Sequence, residues 1–174
     1  MKVCVTGGSG FIGSHLLEAL SEAGYKVLNI DIVDEKYFKS DHFVKDSILN
    51  KKVLRDLVKE CDFVFHLAAA VGVKKIYDDP INSIKTNITG TENILDICTE
   101  LNKSIFIASS SEIYGTGVKI PFSECDDVRF GSVDNLRWNY AYSKAIDEIY
   151  AMSLKRDKNL RIVIGRFFNT VGPR

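Results

Sequence analysis

Tyr140 and Lys144 lie four residues apart in a segment whose apolar spacing predicts a helix, so their side chains share one helix face. An ammonium group beside a phenol favours the phenolate. Such a tyrosine can act as a general base near neutral pH, where a free phenol with a pKa of about 10 works poorly. A Tyr and a Lys at this spacing are most often a packed surface pair, so the chemical interpretation depends on a second cluster.

The second cluster is a run of three serines, Ser109, Ser110 and Ser111, directly after a predicted strand. Open α/β sheets bind ligands at the carboxyl ends of their strands. A serine hydroxyl there could hydrogen-bond a substrate oxygen while Tyr140 removes its proton. The sequence therefore predicts a proton-abstraction site, with Tyr142 as the nearest alternative base.

Residues 6–13 read TGGSGFIG and lie between the first predicted strand and the first predicted helix. Glycines allow a tight turn and a close backbone approach to a pyrophosphate, while the helix N-terminus offers unpaired N–H groups and a positive dipole end. Gly13 would let the helix pack closely on the strand. This context favours a dinucleotide-binding loop over a turn that uses glycine only for its positive φ.

Asp31 ends the second predicted strand, 18 residues after Gly13. A carboxylate there can accept hydrogen bonds from the adenosine ribose, and it would repel a 2′-phosphate. This favours NAD over NADP, although Lys36 and Lys39 are near enough in the sequence to alter the preference. The alternative is a solvated strand end.

Strands and helices alternate along the chain. Strands are predicted at Lys2–Thr6, Lys26–Asp31, His42–Lys45 and residues 62–66, 104–108 and 161–165, and helices at residues 11–23, 48–60, 80–101 and 138–156. Such alternation implies right-handed crossovers and the α/β class, with a doubly wound parallel sheet of the Rossmann type. Residues 1–174 are expected to form one domain.

Composition argues against several classes of function. Lys plus Arg and Asp plus Glu number 23 each, so no strong field attracts nucleic acid or an anionic membrane. The cysteines form no C-x-x-C pair, so neither a metal site nor a disulfide framework is expected. No secretory leader is recognised, and the longest apolar stretch, residues 63–73, is far shorter than the roughly 20 residues that span a bilayer. A cytoplasmic protein is expected.

Five ordered motifs carry a family resemblance: TGGSGFIGSH at residues 6–15, HLAA at 66–69, SSSEIYG at 109–115, Y-x-x-x-K at 140–144 and RFFNTVGPR at 166–174. On these motifs the chain resembles the extended short-chain dehydrogenase/reductases, specifically their nucleotide-sugar epimerase, dehydratase and decarboxylase branch. The resemblance implies that the enzyme continues well beyond Arg174 into a smaller substrate domain. It also implies a homodimer formed through helices 80–101 and 138–156.

The resemblance assigns roles to individual residues. The active-site hydroxyl falls on Ser110, and Tyr140, Lys144 and Glu112 would join it in catalysis. Ser111 and Asn169 would contact the substrate. The residues implied in NAD binding are Gly7, Gly10, Phe11, Ile12, Gly13, Asp31, Ile32, Asp46, Ser47, Leu67, Ala68, Ala69, Asn87, Tyr140, Lys144 and Phe167.

The implied reaction is a transient oxidation of a nucleotide-diphosphate sugar at C4, which yields a 4-keto sugar. An NAD-dependent epimerase or 4,6-dehydratase is the expected function, and decarboxylation of a uronic acid is the alternative. An acidic residue at the position of Glu112 is common in dehydratases and decarboxylases of the family, and many epimerase-like relatives also have it. Arg137 with Trp138 is similar to residues of some uronic-acid decarboxylases. Two rival interpretations are an ordinary reductase acting on a steroid or flavonoid ketone, and a non-catalytic NAD-binding protein.

Overall fold

Six strands form one parallel sheet in the computed structural model, which describes residues 1–117 and 119–174. The strands are β1 (Lys2–Thr6), β2 (Lys26–Asp31), β3 (His42–Lys45), β4 (Phe63–His66), β5 (Ser104–Ser110) and β6 (Ile162–Phe167). Their order is β3-β2-β1-β4-β5-β6, and each neighbouring pair is parallel. This is the strand order of dinucleotide-binding doubly wound folds, so the predicted fold class is confirmed.

Two of the helices begin next to a residue whose side chain caps them. The helices are α1 (Phe11–Glu22), α2 (Lys51–Lys59), α3 (Val73–Asp78), α4 (Pro80–Glu100) and α5 (Asn139–Lys158), with 3-10 helices at Ser111–Tyr114 and Leu136–Trp138. The Asn50 side chain accepts a hydrogen bond from the first turn of α2, and that of Asp79 does so for α4. Within the described part of the chain, no helix is long and apolar enough to cross a membrane.

The main hydrophobic core lies between the sheet and helices α2 and α4. Alternate strand residues face it, as Cys4 does, whereas the neighbouring Val5 faces α1 on the opposite side of the sheet. On that second side Val5 packs with Leu17 of α1 and Val27 of β2. The two layers hold all six strand ends at one edge of the sheet, where the predicted site residues gather.

The structure corrects several predicted boundaries. Helix α2 begins at Lys51 rather than at residue 48, and α3 was not predicted at all. Strand β5 extends to Ser110, because Ser109 and Ser110 pair with Arg166 and Phe167 of β6. The first two serines of the cluster are therefore strand residues held by the sheet, and not members of a loop.

Candidate active site

A cleft of about 750 Å³ opens at the carboxyl edge of the sheet, a size typical of ligand sites. The glycine-rich loop lies at one end and Tyr140 at the other. Most predicted site residues line this cleft, namely Gly7, Gly10, Phe11, Ile12, Gly13, Asp31, Ile32, Asp46, Ser47, Leu67, Ala68, Ala69, Ser110, Ser111, Glu112, Tyr140, Phe167 and Asn169. Asn87 and Lys144 do not line it.

The glycine-rich loop presents backbone to the cleft. Gly7 has a φ of +76°, and a Cβ there would lie 2.8 Å from the backbone nitrogen of Ala68. A Cβ on Gly13 would collide with the carbonyl of Gly7. The first intrahelical bond of α1 runs from the Ser14 N–H to the Gly10 carbonyl at 2.9 Å, so the N–H groups of the first turn remain available to an anion.

Asp31 lies at the end of β2 beside this loop. Its Oδ2 accepts a hydrogen bond from the Ser9 N–H at 3.0 Å, and its Oδ1 accepts one from the Val33 N–H at 3.2 Å. Lys39, which could have changed the cofactor preference, donates instead to the carbonyl of Glu35 at 2.6 Å. The charged groups of this region that line the cleft are therefore the carboxylates of Asp31 and Asp46, and neither Lys36 nor Lys39 lines it.

Two residues that sequence reasoning missed hold the loop after β2. Asn29 is fully buried and donates from Nδ2 to Oε1 of Glu35 at 2.9 Å. The Ser40 hydroxyl donates to the same oxygen at 2.5 Å. A buried Asn in the middle of an apolar strand was the signal that could have revealed this arrangement, because buried polar groups require partners.

Ser110, Glu112 and Arg137 surround the opposite end of the cleft. The Ser110 hydroxyl accepts a hydrogen bond from the Glu112 N–H at 3.2 Å. The Glu112 carboxylate lies 3.7 Å from the Arg137 guanidinium, and both side chains are about half exposed. Tyr140 lies in the first turn of α5 next to this pair, so a cation, a carboxylate, a hydroxyl and a phenol meet at one place.

Burial raises the pKa of Tyr140 above its ordinary value. The Ser110 hydroxyl lowers the pKa, whereas the negative charges of Asp147 and Glu112 raise it further. The expectation that the neighbouring ammonium would dominate is therefore wrong for the protein without its ligands. Desolvation of a phenolate outweighs the attraction, since the charge of Lys144 is already engaged by a carboxylate.

Lys144 is buried below the cleft. Its Nζ donates to Oδ2 of Asp147 at 3.2 Å, and both side chains are less than 5% exposed. Asn87 is also buried, and its amide group accepts from the Ala70 N–H at 2.7 Å and donates to the Ala70 carbonyl at 3.2 Å. Asn87 therefore holds the loop after β4 without itself facing the cleft.

Tyr142, the alternative base, points elsewhere. Its hydroxyl donates to the carbonyl of Gly131 at 3.0 Å, and its ring meets Phe130 edge to face. It does not line the cleft. The geometry therefore favours Tyr140.

The residues present fit a dinucleotide. The loop offers a close backbone approach and free N–H groups, and the Asp31 carboxylate stands beside it. Further along the cleft, the buried hydroxyl of Ser109 has no hydrogen-bond partner among the described residues. A bound ligand with a polar group at that depth would satisfy it.

Fold and site together are those of a nucleotide-binding class of α/β domain, with Tyr140 and Ser110 at the carboxyl edge of the sheet. Residues 3–174 match the NAD dependent epimerase/dehydratase family, and the chain belongs to that family. The predicted resemblance is confirmed.

Two curated relatives act on uronic acids by name. The chain is 40% identical over 183 residues to UDP-N-acetyl-alpha-D-glucosaminuronate decarboxylase of Bacillus cytotoxicus. The matched region covers 99% of this chain and 56% of that protein. The chain is 32% identical over 180 residues to UDP-glucuronic acid decarboxylase 4 of Arabidopsis thaliana, covering 100% of this chain and 40% of that protein. The chain thus spans about half the length of the curated relatives it matches.

The fold is also similar to that of a solved epimerase. UDP-glucose 4-epimerase from Thermotoga maritima, determined with UDP-glucose, has a TM-score of 0.89 and 30% sequence identity. The match covers 100% of this chain and 57% of that chain.

Proposed function

We propose that the whole protein is an NAD-dependent enzyme that oxidises a UDP-hexuronate at C4 and then releases its carboxylate as carbon dioxide. The observation that carries this proposal is the Arg137 guanidinium at the cleft, beside Glu112 and Tyr140. A cation at that position suits a sugar acid, since guanidinium groups bind carboxylates well. The names of the two curated relatives support the same substrate class.

Tyr140 is the proposed base. In its phenolate form it accepts the proton of the sugar 4-hydroxyl, while the Ser110 hydroxyl hydrogen-bonds the same oxygen. NAD, when bound, supplies the acceptor for the hydrogen that leaves C4. The residues proposed to hold NAD are those of the glycine-rich loop with Asp31, Ile32, Asp46, Ser47, Leu67, Ala68, Ala69, Phe167 and, from below, Asn87 and Lys144.

The 4-ketone makes the next bond easy to break. The bond between C5 and C6 cleaves, its electron pair passes into the enolate of the C4 ketone, and carbon dioxide leaves. A proton then adds to C5, a hydride returns to C4, and Tyr140 returns its proton to the 4-oxygen, which gives a pentose. Glu112 lies close enough to the base to assist the protonation at C5, provided that Arg137 releases it to bind the substrate.

A 4-epimerase is the second candidate, favoured by the structural similarity to UDP-glucose 4-epimerase. In that reaction the ketone is reduced from the opposite face and C5 is never touched. A 4,6-dehydratase would instead lose water across C5 and C6. A simple reductase is disfavoured by Asp31, Glu112 and Asn169 in the cleft, and a non-catalytic NAD-binding protein by Tyr140 and Ser110 there.

Incubation in deuterated water separates these reactions. Full-length protein is given UDP-glucuronate or UDP-N-acetylglucosaminuronate, and the products are followed by NMR and by carbon dioxide release. We expect a pentose product with one deuterium at C5, formed more slowly by Glu112→Gln but at the normal rate by the exposed control Glu124→Gln. An epimer that keeps its carboxylate and carries no deuterium would establish the second candidate instead.

The proposed assembly is a homodimer formed through α4 and α5. Their outer faces expose Ile81 and Ile84 on α4, and Ile149 and Met152 on α5. Apolar residues grouped on neighbouring helices are typical of subunit interfaces. Light scattering of full-length Ile149→Glu should give a monomer where the wild type and Lys158→Glu give dimers, and a dimer of unchanged stability in Ile149→Glu would contradict this interface.

A further inference from the structure

A buried pair of opposite charges lies below the proposed base. Lys144 and Asp147 are both on α5, and their side chains are 4% and 3% exposed. The Asp147 Oδ2 also accepts a hydrogen bond from the Thr91 hydroxyl of α4 at 3.2 Å. The carboxylate is therefore held from two elements and has two donors on one oxygen.

The chain of hydrogen bonds continues from Thr91 into the sheet. Thr91 Oγ1 lies 3.1 Å from Nε2 of His66, and Nδ1 of His66 lies 2.7 Å from Oγ1 of Thr6. Since Thr91 has one hydroxyl proton and gives it to Asp147, its oxygen accepts from the His66 Nε2–H. Nδ1 is then an acceptor, and Thr6 donates to it.

This proton arrangement keeps His66 neutral. Burial and the positive charge of Lys144 lower the pKa of His66 to about 3, in agreement with an imidazole that has one donor and one acceptor. Thr6 in turn accepts from the Ala68 N–H at 3.2 Å, and Ala68 lines the cleft. A continuous polar chain thus runs from the cofactor side of the cleft to the carboxylate of Asp147.

We propose that Asp147 is a positioning residue, which holds the Lys144 ammonium in place and thereby sets the pH range in which Tyr140 accepts a proton. This inference rests on the proposed role of Tyr140 as the base. Thr91 and His66 do not line the cleft, so their proposed role is to hold Asp147 in place through the hydrogen-bond chain.

The sign of the effect follows from the charges nearby. Asp147 raises the pKa of Tyr140, and burial raises the pKa of Asp147 itself to about 6 although Lys144 and Thr91 lower it. Removing the carboxylate charge would both end that repulsion and leave the ammonium of Lys144 uncompensated. Both changes favour the phenolate, so the titration of Tyr140 should move to lower pH.

Other charged groups face this region and stay in place in the proposed variants. Glu148 raises the pKa of Asp147, but its carboxylate is bound by Arg166 at 2.8 Å. Glu112 and Arg137 form an ion pair with each other on the cleft side of Tyr140. Neither pair loses a partner when Asp147 is changed.

The test measures Tyr140 directly in full-length protein, by its near-ultraviolet phenolate absorption. Each spectrum is taken with and without Tyr140→Phe, so that the difference isolates one tyrosine. In Asp147→Asn we expect the midpoint to fall by about half a pH unit or more, and in Asp147→Ser, which also removes the charge, to fall in the same direction. In Thr91→Val it should stay near that of the wild type, because Asp147, with a pKa of about 6, remains ionised where Tyr140 titrates. The acidic limb of the kcat profile should move with the midpoint.

Two matched variants serve as controls: Asp157→Asn at the exposed end of α5 and Thr89→Val on the exposed side of α4. Neither should move the midpoint. A folded Asp147→Asn protein with an unchanged Tyr140 midpoint would overturn the proposal, as would an unchanged midpoint in Asp147→Ser if Asp147→Asn does not fold. Since the absorption needs no substrate, failure of the uronate assay leaves this measurement standing, and the reverse also holds.

Discussion

At the end of the cleft proposed to bind the nucleotide (the nucleotide end) a ligand would meet mainly backbone, whereas at the proposed catalytic end it would meet side chains that other buried side chains hold. Gly7 and Gly13 shape the first end by having no Cβ, and the α1 N-terminus supplies its N–H groups. Tyr140 at the second end depends on Lys144 and Asp147 below it. The nucleotide end therefore depends on positions without side chains. At the catalytic end each buried side chain depends on its charged or hydrogen-bonded partner.

The largest expected effect is on stability, at the catalytic end. Lys144→Met leaves Asp147 buried without its cation, which should lower the free energy of unfolding by about 3 kcal/mol at pH 8. The loss should shrink toward pH 5, because Asp147 can then protonate. Urea unfolding measures both. Adding Asp147→Asn to Lys144→Met should recover most of the loss, and a double variant no more stable than the single one would argue against coupling between the two side chains.

Next in size is the effect on turnover. Tyr140→Phe in the full-length enzyme should lower kcat by about a hundredfold or more, the usual effect of losing a general base, while NAD still binds. Tyr142→Phe is the matched control and should keep near-normal kcat, since its hydroxyl only donates to Gly131. Steady-state kinetics with the true substrate decides it. If Tyr142→Phe lowered kcat more than Tyr140→Phe did, Tyr142 would be the base instead.

A smaller effect concerns pH and His66. The pKa of His66 is lowered to about 3, so its contribution to stability is complete above pH 6.5 and declines as the pH falls toward 3. Asp147, with a raised pKa of about 6, acts in the opposite direction between about pH 6 and 4. The free energy of unfolding of the wild type should therefore depend only weakly on pH, because the contributions of His66 and Asp147 oppose each other.

Comparison with His66→Gln reveals the hidden dependence. The stability advantage of wild type over this variant should decrease by about 1.4 kcal/mol for each pH unit between pH 6 and 4. The exposed control His42→Gln should show no such trend. A constant difference across this range would mean that His66 titrates normally and is not held neutral by its partners.

The smallest expected effect is at the nucleotide end. Full-length protein should bind NAD more tightly than NADP, and Asp31→Asn should reduce this preference by about fivefold, or about 1 kcal/mol, because the repulsion of a 2′-phosphate is lost at a partly exposed site. Asp34→Asn, which changes an exposed carboxylate paired with Lys45, is the control. Calorimetry with both cofactors measures the ratio, and equal affinities in the wild type would remove the assigned role of Asp31.

The sequence by itself determined the sheet, the glycine-rich loop and the identity of the proposed base. Strand and helix periodicity are local properties, and the loop chemistry of residues 6–13 lies within one stretch of chain. Ser110 and Asp31 could be placed because each lies at the end of a recognisable strand, and Tyr140 because it lies at the start of a recognisable helix. All three line the same cleft. Helix α3 was missed because its six residues are too few for a clear apolar period.

Only the tertiary structure decided what Lys144 does and how Tyr140 titrates. The partners that hold Asp147 and His66 are Thr91 and Thr6, which are separated from them by 56 and 60 residues and reach them only because α4, α5 and the sheet pack together. Burial then reverses the expected direction of the Tyr140 pKa, since desolvation depends on surroundings that no local pattern encodes. Spacing along a helix identifies neighbours on one face, but the three-dimensional packing decides which neighbour takes the charge.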